Sequence, residues 1–198
     1  PNNHNVVYAG TGDLRFGSFS FGAAGLLKSS DQGLNWQVLG LDVFNPFYGP
    51  SAGSYPQYQA IGKVVVDPND SNKVIVGTKT GLFLSYDAGI NWTGPCLTNP
   101  HTTQRQDTTG LLAVNDAGLT RLYVAIGTRG SPTPVQPDLN LTGANGVYRA
   151  ALPASGCPVA WTLLNNGWPA NTGNGVAGAT NLGRIEIAVA PSNTQVPY

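Results

Sequence analysis

Residues 81–92 read Gly81-Leu82-Phe83-Leu84-Ser85-Tyr86-Asp87-Ala88-Gly89-Ile90-Asn91-Trp92, and residues 25–36 read Gly25-Leu26-Leu27-Lys28-Ser29-Ser30-Asp31-Gln32-Gly33-Leu34-Asn35-Trp36. Each stretch is a short apolar run followed by the pattern Ser-x-Asp-x-Gly-x-x-Trp, and the second copy begins 56 residues after the first. An apolar run that ends in Ser, Asp and Gly is typical of a β-strand entering a hairpin. The chain therefore contains an internal repeat, and the repeat decides the architecture.

The repeat extends beyond these two stretches. Pro1-Asn2-Asn3 leads into Val6-Val7-Tyr8-Ala9-Gly10-Thr11 as Pro68-Asn69-Asp70 leads into Val74-Ile75-Val76-Gly77-Thr78, with the same interval from Pro to Gly-Thr. A third, degraded copy runs through 122–128, 146–149 and Trp161, and a fourth begins at 183–191, which matches 62–68. The mean period is about sixty residues, which lies in the range of propeller and solenoid repeats.

Each unit divides into four short strands, named A to D, that are bounded by Gly, Pro, Asn and Asp. Strand A covers 62–67, 110–115 and 183–190; strand B covers 6–11, 73–78, 121–128 and a start at Val196; strand C covers 25–29, 81–86 and 146–151; strand D covers about 35–39, 91–93 and 160–164. Four antiparallel strands per repeat make one blade of a β-propeller. The sequence predicts an all-β partial propeller over 1–198, in approximate units 1–61, 62–109, 110–182 and 183–198.

The length of 198 residues corresponds to about three blades, whereas propellers close with about four to eight. We therefore expect the chain to be part of a larger propeller of about six to eight blades. Either more of the same polypeptide or other copies of the chain would complete the ring, and the first is the preferred expectation.

Composition excludes several classes of protein. Ten basic residues balance ten acidic ones, which removes the electrostatic footprint of a nucleic-acid-binding protein. No apolar run is long enough for a membrane span. The chain has 26 Gly and 15 Pro, but its 9% aromatic content and its many β-branched residues distinguish it from a disordered low-complexity chain. The sequence predicts neither a nucleic-acid partner nor a membrane span.

The patterns Ser29-x-Asp31-x-Gly33-x-x-Trp36 and Ser85-x-Asp87-x-Gly89-x-x-Trp92 resemble the Asp-box of the bacterial neuraminidase repeat, of the sortilin and xyloglucanase-like type. That repeat occurs in sialidases, sortilin-type receptors, xyloglucan-active glycoside hydrolases and many secreted bacterial proteins. The resemblance implies that the Asp caps backbone N–H groups of the C–D hairpin, that the Gly adopts a conformation closed to other residues, and that the Trp packs into the next layer. These eight residues are therefore interpreted as structural, not as catalytic or metal-binding.

The lengths of the connections predict where function lies. Alternating strands place the A–B and C–D connections on one face of the ring and the B–C and D–A connections on the other. The first set is tight, at 68–72, 116–120, 30–34 and 87–90, with 152–159 the longest; the second is long, at 12–24, 40–59, 94–109, 129–145 and 165–182, with only 79–80 short. Long loops collected on one face of a rigid scaffold are usually functional.

The long connections are aromatic and polar, with few charges. The candidate binding residues are Arg15, Phe16, Phe19, Phe21, Phe47, Tyr48, Tyr55 and Tyr58; Phe44 and Asp42 lie in the same connections. Aromatic faces beside uncharged hydrogen-bonding groups suit carbohydrate rings or a protein partner. The alternative is that single rings only pack the loops onto the sheet edges.

Catalysis has one candidate residue. Asp13, in Gly10-Thr11-Gly12-Asp13, lies near the place where xyloglucan-active enzymes with this repeat carry a catalytic Asp, although Gly10 replaces the Arg of that pattern. A glycosidase needs two carboxylates, and a sialidase needs a cluster of arginines. The single Glu, Glu186, is predicted on strand A and not in a loop, and the six arginines are scattered. The sequence therefore does not favour sialidase activity, and the enzymatic alternative that stays open is a xyloglucanase-like glycoside hydrolase.

The remaining motifs give few sites. Cys96 and Cys157 flank corresponding strands of neighbouring units, and two readings stay open: a disulfide, which fits an exported protein, or two buried free thiols. No metal site, cofactor motif or nucleophile elbow is present in the sequence. The sequence thus predicts a non-enzymatic, exported or cell-surface bacterial propeller that binds a partner protein or a glycan, or forms part of an extracellular assembly, through its long B–C and D–A loops. The alternative is a fragment of a xyloglucanase-like glycoside hydrolase.

Overall fold

The computed structural model describes residues 3–14, 23–44, 59–97, 108–126, 146–164 and 185–190, together with the strand backbone of 47–48, 57–58 and 193–197. Every regular element in this part of the chain is a β-strand, and it contains no helix long and apolar enough to span a membrane. The strands are β1 (Val7–Gly10), β2 (Leu26–Ser29), β3 (Gln37–Leu39), β4 (Phe47–Tyr48), β5 (Gln57–Tyr58), β6 (Ile61–Val66), β7 (Val74–Thr78), β8 (Gly81–Ser85), β9 (Thr93–Cys96), β10 (Thr108–Asp116), β11 (Leu119–Ile126), β12 (Gly146–Ala151), β13 (Thr162–Leu163), β14 (Val189–Ala190) and β15 (Asn193–Pro197).

The strands form antiparallel sheets in chain order. Sheet 1 is β1-β2-β3, sheet 2 is β6-β7-β8-β9, and sheet 3 is β10-β11-β12-β13; β4-β5 and β14-β15 are separate two-stranded pairs. Successive strands are neighbours in every sheet, as in the blades of a propeller. The predicted all-β fold with four-stranded antiparallel blades is confirmed, and the chain is a propeller segment of about three blade-equivalents.

Some strand boundaries differ from the prediction. Strand D of sheet 2 was predicted at 91–93, whereas β9 spans 93–96; it accepts Pro95 because it is the outermost strand of the described sheet. Residues 185–188, which were predicted to be in strand A with Glu186, are not in a strand; the backbone N–H of Ile185 instead donates to Oγ1 of Thr109 at 3.1 Å. The connection 40–59 contains the β4-β5 hairpin, which the sequence pattern does not predict.

The core lies between the sheets. One cluster joins sheets 1 and 2 through buried side chains of β2, β7 and β8, including Leu26, Val76 and Phe83. A second cluster joins sheets 2 and 3 and includes Ile75 and Leu84. Because sheet 2 is covered on both faces, all residues of β7 and β8 are buried, and these strands are continuous apolar runs without alternation.

The A strands of the units pack beside one another. A Cβ added at Gly110 of β10 would lie 2.9 Å from Cγ1 of Ile187, so this close approach requires a residue without a side chain. Nζ of Lys63 in β6 lies 2.9 Å from Oε2 of Glu186, which links the second unit to the fourth. The described segment of the fourth unit thus contacts the A strands of both the second and the third unit.

Candidate functional site

Antiparallel order divides the connections between two faces, as the sequence predicts. The tight-turn face carries the A–B and C–D connections, and the long-loop face carries the B–C and D–A connections. By the strand bounds, the tight-turn face holds 67–73, 117–118, 30–36, 86–92 and 152–161; the long-loop face holds 11–25, 40–60, 79–80, 97–107, 127–145 and 164–188. The connections of the first face are thus mostly short in sequence, and those of the second are mostly long.

The second Asp-box is a closed hydrogen-bond network. The hydroxyl of Ser85 donates to Oδ1 of Asp87 at 2.8 Å and accepts the backbone N–H of Gly89 at 2.8 Å. Oδ1 of Asp87 also accepts the backbone N–H groups of Ile90 and Asn91, and its Oδ2 accepts the Asn91 side-chain amide at 2.7 Å. These bonds from Asn91 are the main cause of a lowered pKa of Asp87. Both carboxylate oxygens are thus occupied within the turn.

The first Asp-box repeats this geometry. Oδ2 of Asp31 accepts the side-chain amide of Asn35 at 2.7 Å, its Oδ1 accepts the Asn35 backbone N–H at 2.8 Å, and Ser29 donates to Oδ1 at 2.7 Å. These bonds lower the pKa of Asp31 to about 2. Gly33 has φ +94°, in the left-handed region that favours glycine. Corresponding residues of the two Asp-boxes make the same hydrogen bonds, so both boxes adopt the same turn.

The two Asp-box tryptophans lie in different environments. Trp92 is half-buried, and its ring packs edge-on against Phe44, with centroids 5.0 Å apart. Trp36 is 44% exposed. The difference follows from the neighbours, because the preceding unit supplies Phe44 to Trp92, whereas no unit precedes sheet 1 in the part of the chain that the structure describes.

Side chains of the tight-turn face connect neighbouring sheets. The backbone carbonyl of Ala88 accepts hydrogen bonds from the hydroxyl of Tyr8 at 3.2 Å and from Nζ of Lys28 at 3.0 Å, both in sheet 1. The Tyr86 hydroxyl donates to the carbonyl oxygen of Gly156 at 2.7 Å, in the C–D connection of sheet 3. Burial raises the pKa of Tyr8 and of Tyr86. The polar groups of these turns thus fix the packing of the sheets.

A buried carboxylate, Asp67, reinforces the same face. Asp67 is 1% exposed, and its Oδ1 accepts the Thr120 hydroxyl at 2.5 Å and the Asn69 backbone N–H at 2.8 Å. The Asn69 side-chain amide donates to the Thr120 hydroxyl at 2.8 Å, and Nζ of Lys73 lies 3.9 Å from Oδ2 of Asp67. The sequence analysis did not single out this network, although an Asp that ends a strand before Pro-Asn is a recognisable turn pattern.

Cys96 and Cys157 form a disulfide between sheet 2 and the 152–161 connection of sheet 3, with Cα atoms 5.6 Å apart. Cys96 is the last residue of β9, and Cys157 lies in a connection that also packs against sheet 2 through Gly156. A covalent bond thus joins two sheets that already share a hydrophobic core.

The candidate aromatics of the long-loop face are described only in part. Residues 15–22, with Arg15, Phe16, Phe19 and Phe21, lie outside the described residues, and so does Tyr55. Phe47, Tyr48 and Tyr58 lie in the β4-β5 hairpin, in which Phe47 is the partner of Tyr58 and Tyr48 is the partner of Gln57. The hairpin brings residues from both ends of the long connection to one place.

Phe44 does not belong to an exposed surface. The residue is 0% exposed, and its ring packs against Phe83 with centroids 5.2 Å apart, in addition to Trp92. A Cβ added at Gly40, four residues earlier, would lie 2.8 Å from the Phe44 ring. The Phe44 ring therefore packs the 40–60 connection onto the sheets, which is the alternative given above for single aromatic residues. Asp42, two residues before it, is exposed.

Asp13 lies beside the start of β6. The segment that carries it is held by Gly12, where an added Cβ would lie 2.9 Å from Ala60, and by Leu14, whose Cδ2 would lie 2.5 Å from a Cβ added at Gly62. The backbone N–H of Ile61 donates to the carbonyl of Thr11 at 2.9 Å. Asp13 is partly buried, in the connection that follows β1 on the long-loop face.

Buried polar side chains lie at the long-loop ends of β6, β7 and β10, and the sequence analysis missed them. Gln59 is 3% exposed, Lys79 is 1% exposed and Thr108 is 0% exposed. The Gln59 amide donates to the Thr80 hydroxyl at 2.7 Å, while Gln59 Oε1 and Thr108 Oγ1 are buried without a hydrogen-bond partner. Only the polar dipeptide Lys79-Thr80 in the short B–C turn could have drawn attention to this position.

Within the described residues, no group of three or more His, Cys, Asp or Glu side chains could hold a metal ion. The two Asp-box carboxylates, Asp31 and Asp87, are bonded to their own turns. Among the described residues of the long-loop connections, the carboxylates are Asp13, Asp42 and Glu186, and Glu186 is paired with Lys63 of β6.

Comparison with known proteins bears on the fold. No family model matches the sequence, and no curated protein matches it. Among solved structures, the chain is similar to the crystal structure of an ancestral GH74 enzyme, with 22% sequence identity and a TM-score of 0.56. The similarity covers 98% of this chain and 22% of that enzyme, so the chain spans about a fifth of its length. The GH74 enzymes are a β-propeller family, and the likeness supports the propeller fold of this chain.

Proposed function

We propose that this chain is a non-enzymatic, exported or cell-surface propeller segment that binds a glycan or a partner protein through its long-loop face. The observation that supports this most is the difference between the faces. The hydrogen-bonding groups of the tight turns are used within the turns and between sheets, as with Asp87 and Ala88. The opposite face carries the long connections, and long connections on a rigid scaffold are usually functional.

Glycan rings match this face because their apolar faces stack on aromatic rings and their hydroxyl groups need hydrogen-bond partners. The β4-β5 hairpin supplies Phe47, Tyr48 and Tyr58 in one connection. Disulfides persist in oxidising compartments, so the Cys96–Cys157 bond supports an exported location.

A glycoside hydrolase is the second candidate. It is favoured by the position of Asp13 beside the start of β6 on the long-loop face, and by the similarity to an ancestral GH74 enzyme. Hydrolysis needs a second carboxylate about 5 to 10 Å from the first. Under this proposal Asp13 would be one member of that pair.

An array of immobilised plant and bacterial polysaccharides, read for both binding and release of reducing ends, separates the two candidates. Binding without release supports a binding segment, and release that is lost in Asp13→Asn supports the hydrolase. If the chain is a binding segment, neither the native protein nor Asp13→Asn releases reducing ends, and both bind the same polysaccharides.

The face is tested with matched pairs of variants on the best array ligand. Phe47→Ala with Tyr58→Ala should weaken binding about tenfold or more, since each lost stacking contact is worth about 1 kcal/mol. Leu34→Ala with Ile90→Ala is the control, because these residues are 82% and 71% exposed at the tips of the two Asp-boxes on the opposite face. Equal losses in both pairs would contradict the proposed face.

A further inference from the structure

The side-chain amide of Gln59 is held in one orientation by a chain of hydrogen bonds. The Thr78 hydroxyl donates to the carbonyl oxygen of Gly81 at 2.9 Å, so its hydrogen is used. The Thr80 hydroxyl, 3.1 Å from that of Thr78, is therefore the donor in the contact between them. With this hydrogen also used, the Thr80 oxygen accepts the Gln59 amide N–H at 2.7 Å. Because each hydroxyl has one hydrogen to donate, all donors in the chain point the same way.

The acceptor of the same amide is fixed as well. Since Nε2 of Gln59 faces Thr80, the Oε1 atom is turned away from it. The backbone of Gln59 is anchored, because its carbonyl oxygen accepts the N–H of Ala23 at 2.6 Å. The side chain is 3% exposed, and among the described residues Oε1 is buried without a hydrogen-bond partner. Buried acceptors nearly always have a partner, so an oriented acceptor without one indicates a group that binds there.

Gln59 lies on the long-loop face, close to the segment that carries Asp13. It directly precedes Ala60 and β6, at the end of the 40–60 connection. A Cβ added at Gly12 would lie 2.9 Å from Ala60, and Gly12 directly precedes Asp13. The acceptor therefore belongs to the face on which ligand binding is proposed, at the junction of the first and second units.

The chemistry of this acceptor restricts the ligand. A neutral carbonyl oxygen accepts O–H and N–H groups, and it repels carboxylate and phosphate oxygens. Because the side chain is almost enclosed, the donor has to be a small group that projects from the ligand. A hydroxyl group projects singly from a sugar ring, whereas a backbone N–H of a protein is flanked by its own chain. The acceptor thus favours a glycan over a protein partner.

We propose that Gln59 is a specificity-determining residue of the long-loop face, and that its Oε1 accepts a hydrogen bond from one hydroxyl group of a bound sugar. This inference rests on the proposed function and narrows its ligand to a glycan. Thr78 and Thr80 orient the amide, so that the acceptor is in place before the sugar binds.

The test uses the 198-residue chain and the polysaccharide that it binds best on the array. Gln59→Met removes the acceptor with little change in side-chain volume. The variant should bind about tenfold or more weakly, because the sugar hydroxyl then loses its partner in an enclosed position. The melting temperature should change by less than about 2 °C, since the lost bond to Thr80 is offset by removal of a buried acceptor without a partner.

Thr108→Val is the matched control. Thr108 is 0% exposed at the start of β10, and among the described residues its Oγ1 is also buried without a partner. Its Cγ2 would lie 2.5 Å from a Cβ added at Gly77. Because neighbouring residues of a strand point to opposite faces, Thr108 packs on the face of sheet 2 opposite to that of Thr78. This variant should keep native affinity for the polysaccharide.

Deoxy sugars distinguish a ligand contact from an effect on packing. Monodeoxy analogues of the shortest bound oligosaccharide are compared with the parent sugar by calorimetry. One analogue should bind the native protein about tenfold or more weakly than the parent does. The parent and this analogue should bind Gln59→Met equally, because the partner of the missing hydroxyl is then absent from the protein as well.

Three results would overturn the role of Gln59 while leaving glycan binding intact. Native affinity in Gln59→Met is expected if Oε1 holds only an internal water. Equal losses in Gln59→Met and Thr108→Val would indicate a general effect on packing. A deoxy effect that persists in Gln59→Met would assign the hydroxyl to another residue. A native protein that binds no polysaccharide of the array would instead overturn glycan binding itself, and this inference with it.

Discussion

Reduction of the Cys96–Cys157 disulfide should destabilise the protein strongly. The bond closes a loop with a sequence separation of 61 residues between neighbouring sheets. The chain-entropy relation for a loop of this size gives about 4 kcal/mol of stabilisation, through restriction of the unfolded chain. For a domain of this length, that corresponds to a fall in melting temperature of roughly 8 to 16 °C.

The assay is guanidinium unfolding followed by tryptophan fluorescence, with and without reductant. Trp161 reports on the region, because its indole N–H donates to the carbonyl of Pro158 at 3.1 Å, next to Cys157. A variant with Cys96→Ser and Cys157→Ser is the control and should not respond to reductant. A change in unfolding free energy below about 1 kcal/mol on reduction of the native protein would refute the reasoning.

Three further results are expected. Asp87→Ala should lower the unfolding free energy by about 1 to 2 kcal/mol through loss of the turn cap and leave ligand affinity unchanged; loss of binding at an unchanged melting temperature would contradict this. The Asp31 carboxyl should titrate at about 2 by NMR, below 3.8, so its stabilising contribution is complete above pH 3.8 and is lost as the pH falls towards 2; a normal pKa would exclude the hydrogen-bonded turn. Gly77→Ala should cost about 1 to 3 kcal/mol by overpacking, because the new Cβ would lie 2.5 Å from Cγ2 of Thr108; Thr108→Ser should restore part of it, and equal cost in both backgrounds would argue against this contact.

Much of the fold could be predicted because the repeat supplies its own alignment. The B and C strands agree with the structure to within two residues where Gly, Asp and Pro bound them, as at Val74–Thr78 and Gly81–Ser85. The prediction was wrong at β9 because Gly94 and Pro95 resemble a turn, whereas an edge strand accepts them. It was wrong at 185–188 because local β-propensity carries no information on which partner takes the backbone hydrogen bonds.

The site could be predicted less well, for a different physical reason. Connection lengths follow from strand spacing, so the division into two faces is visible in the sequence. Burial of a loop side chain depends on contacts between units, and nothing near Phe44 in the sequence indicates that Phe83 and Trp92 surround it. The burial of Lys79 and Gln59 has the same origin, since distant strands enclose them.

Binding on the long-loop face is tested most directly by one comparison on the polysaccharide array. Phe47→Ala with Tyr58→Ala is measured beside Leu34→Ala with Ile90→Ala, each with its melting temperature. We predict a loss of about tenfold or more in affinity for the first pair and native affinity for the second, with no reducing ends released by either protein. A loss of affinity only in the variant with Leu34→Ala and Ile90→Ala would contradict binding on the long-loop face. Release of reducing ends that Asp13→Asn abolishes would contradict a non-enzymatic function.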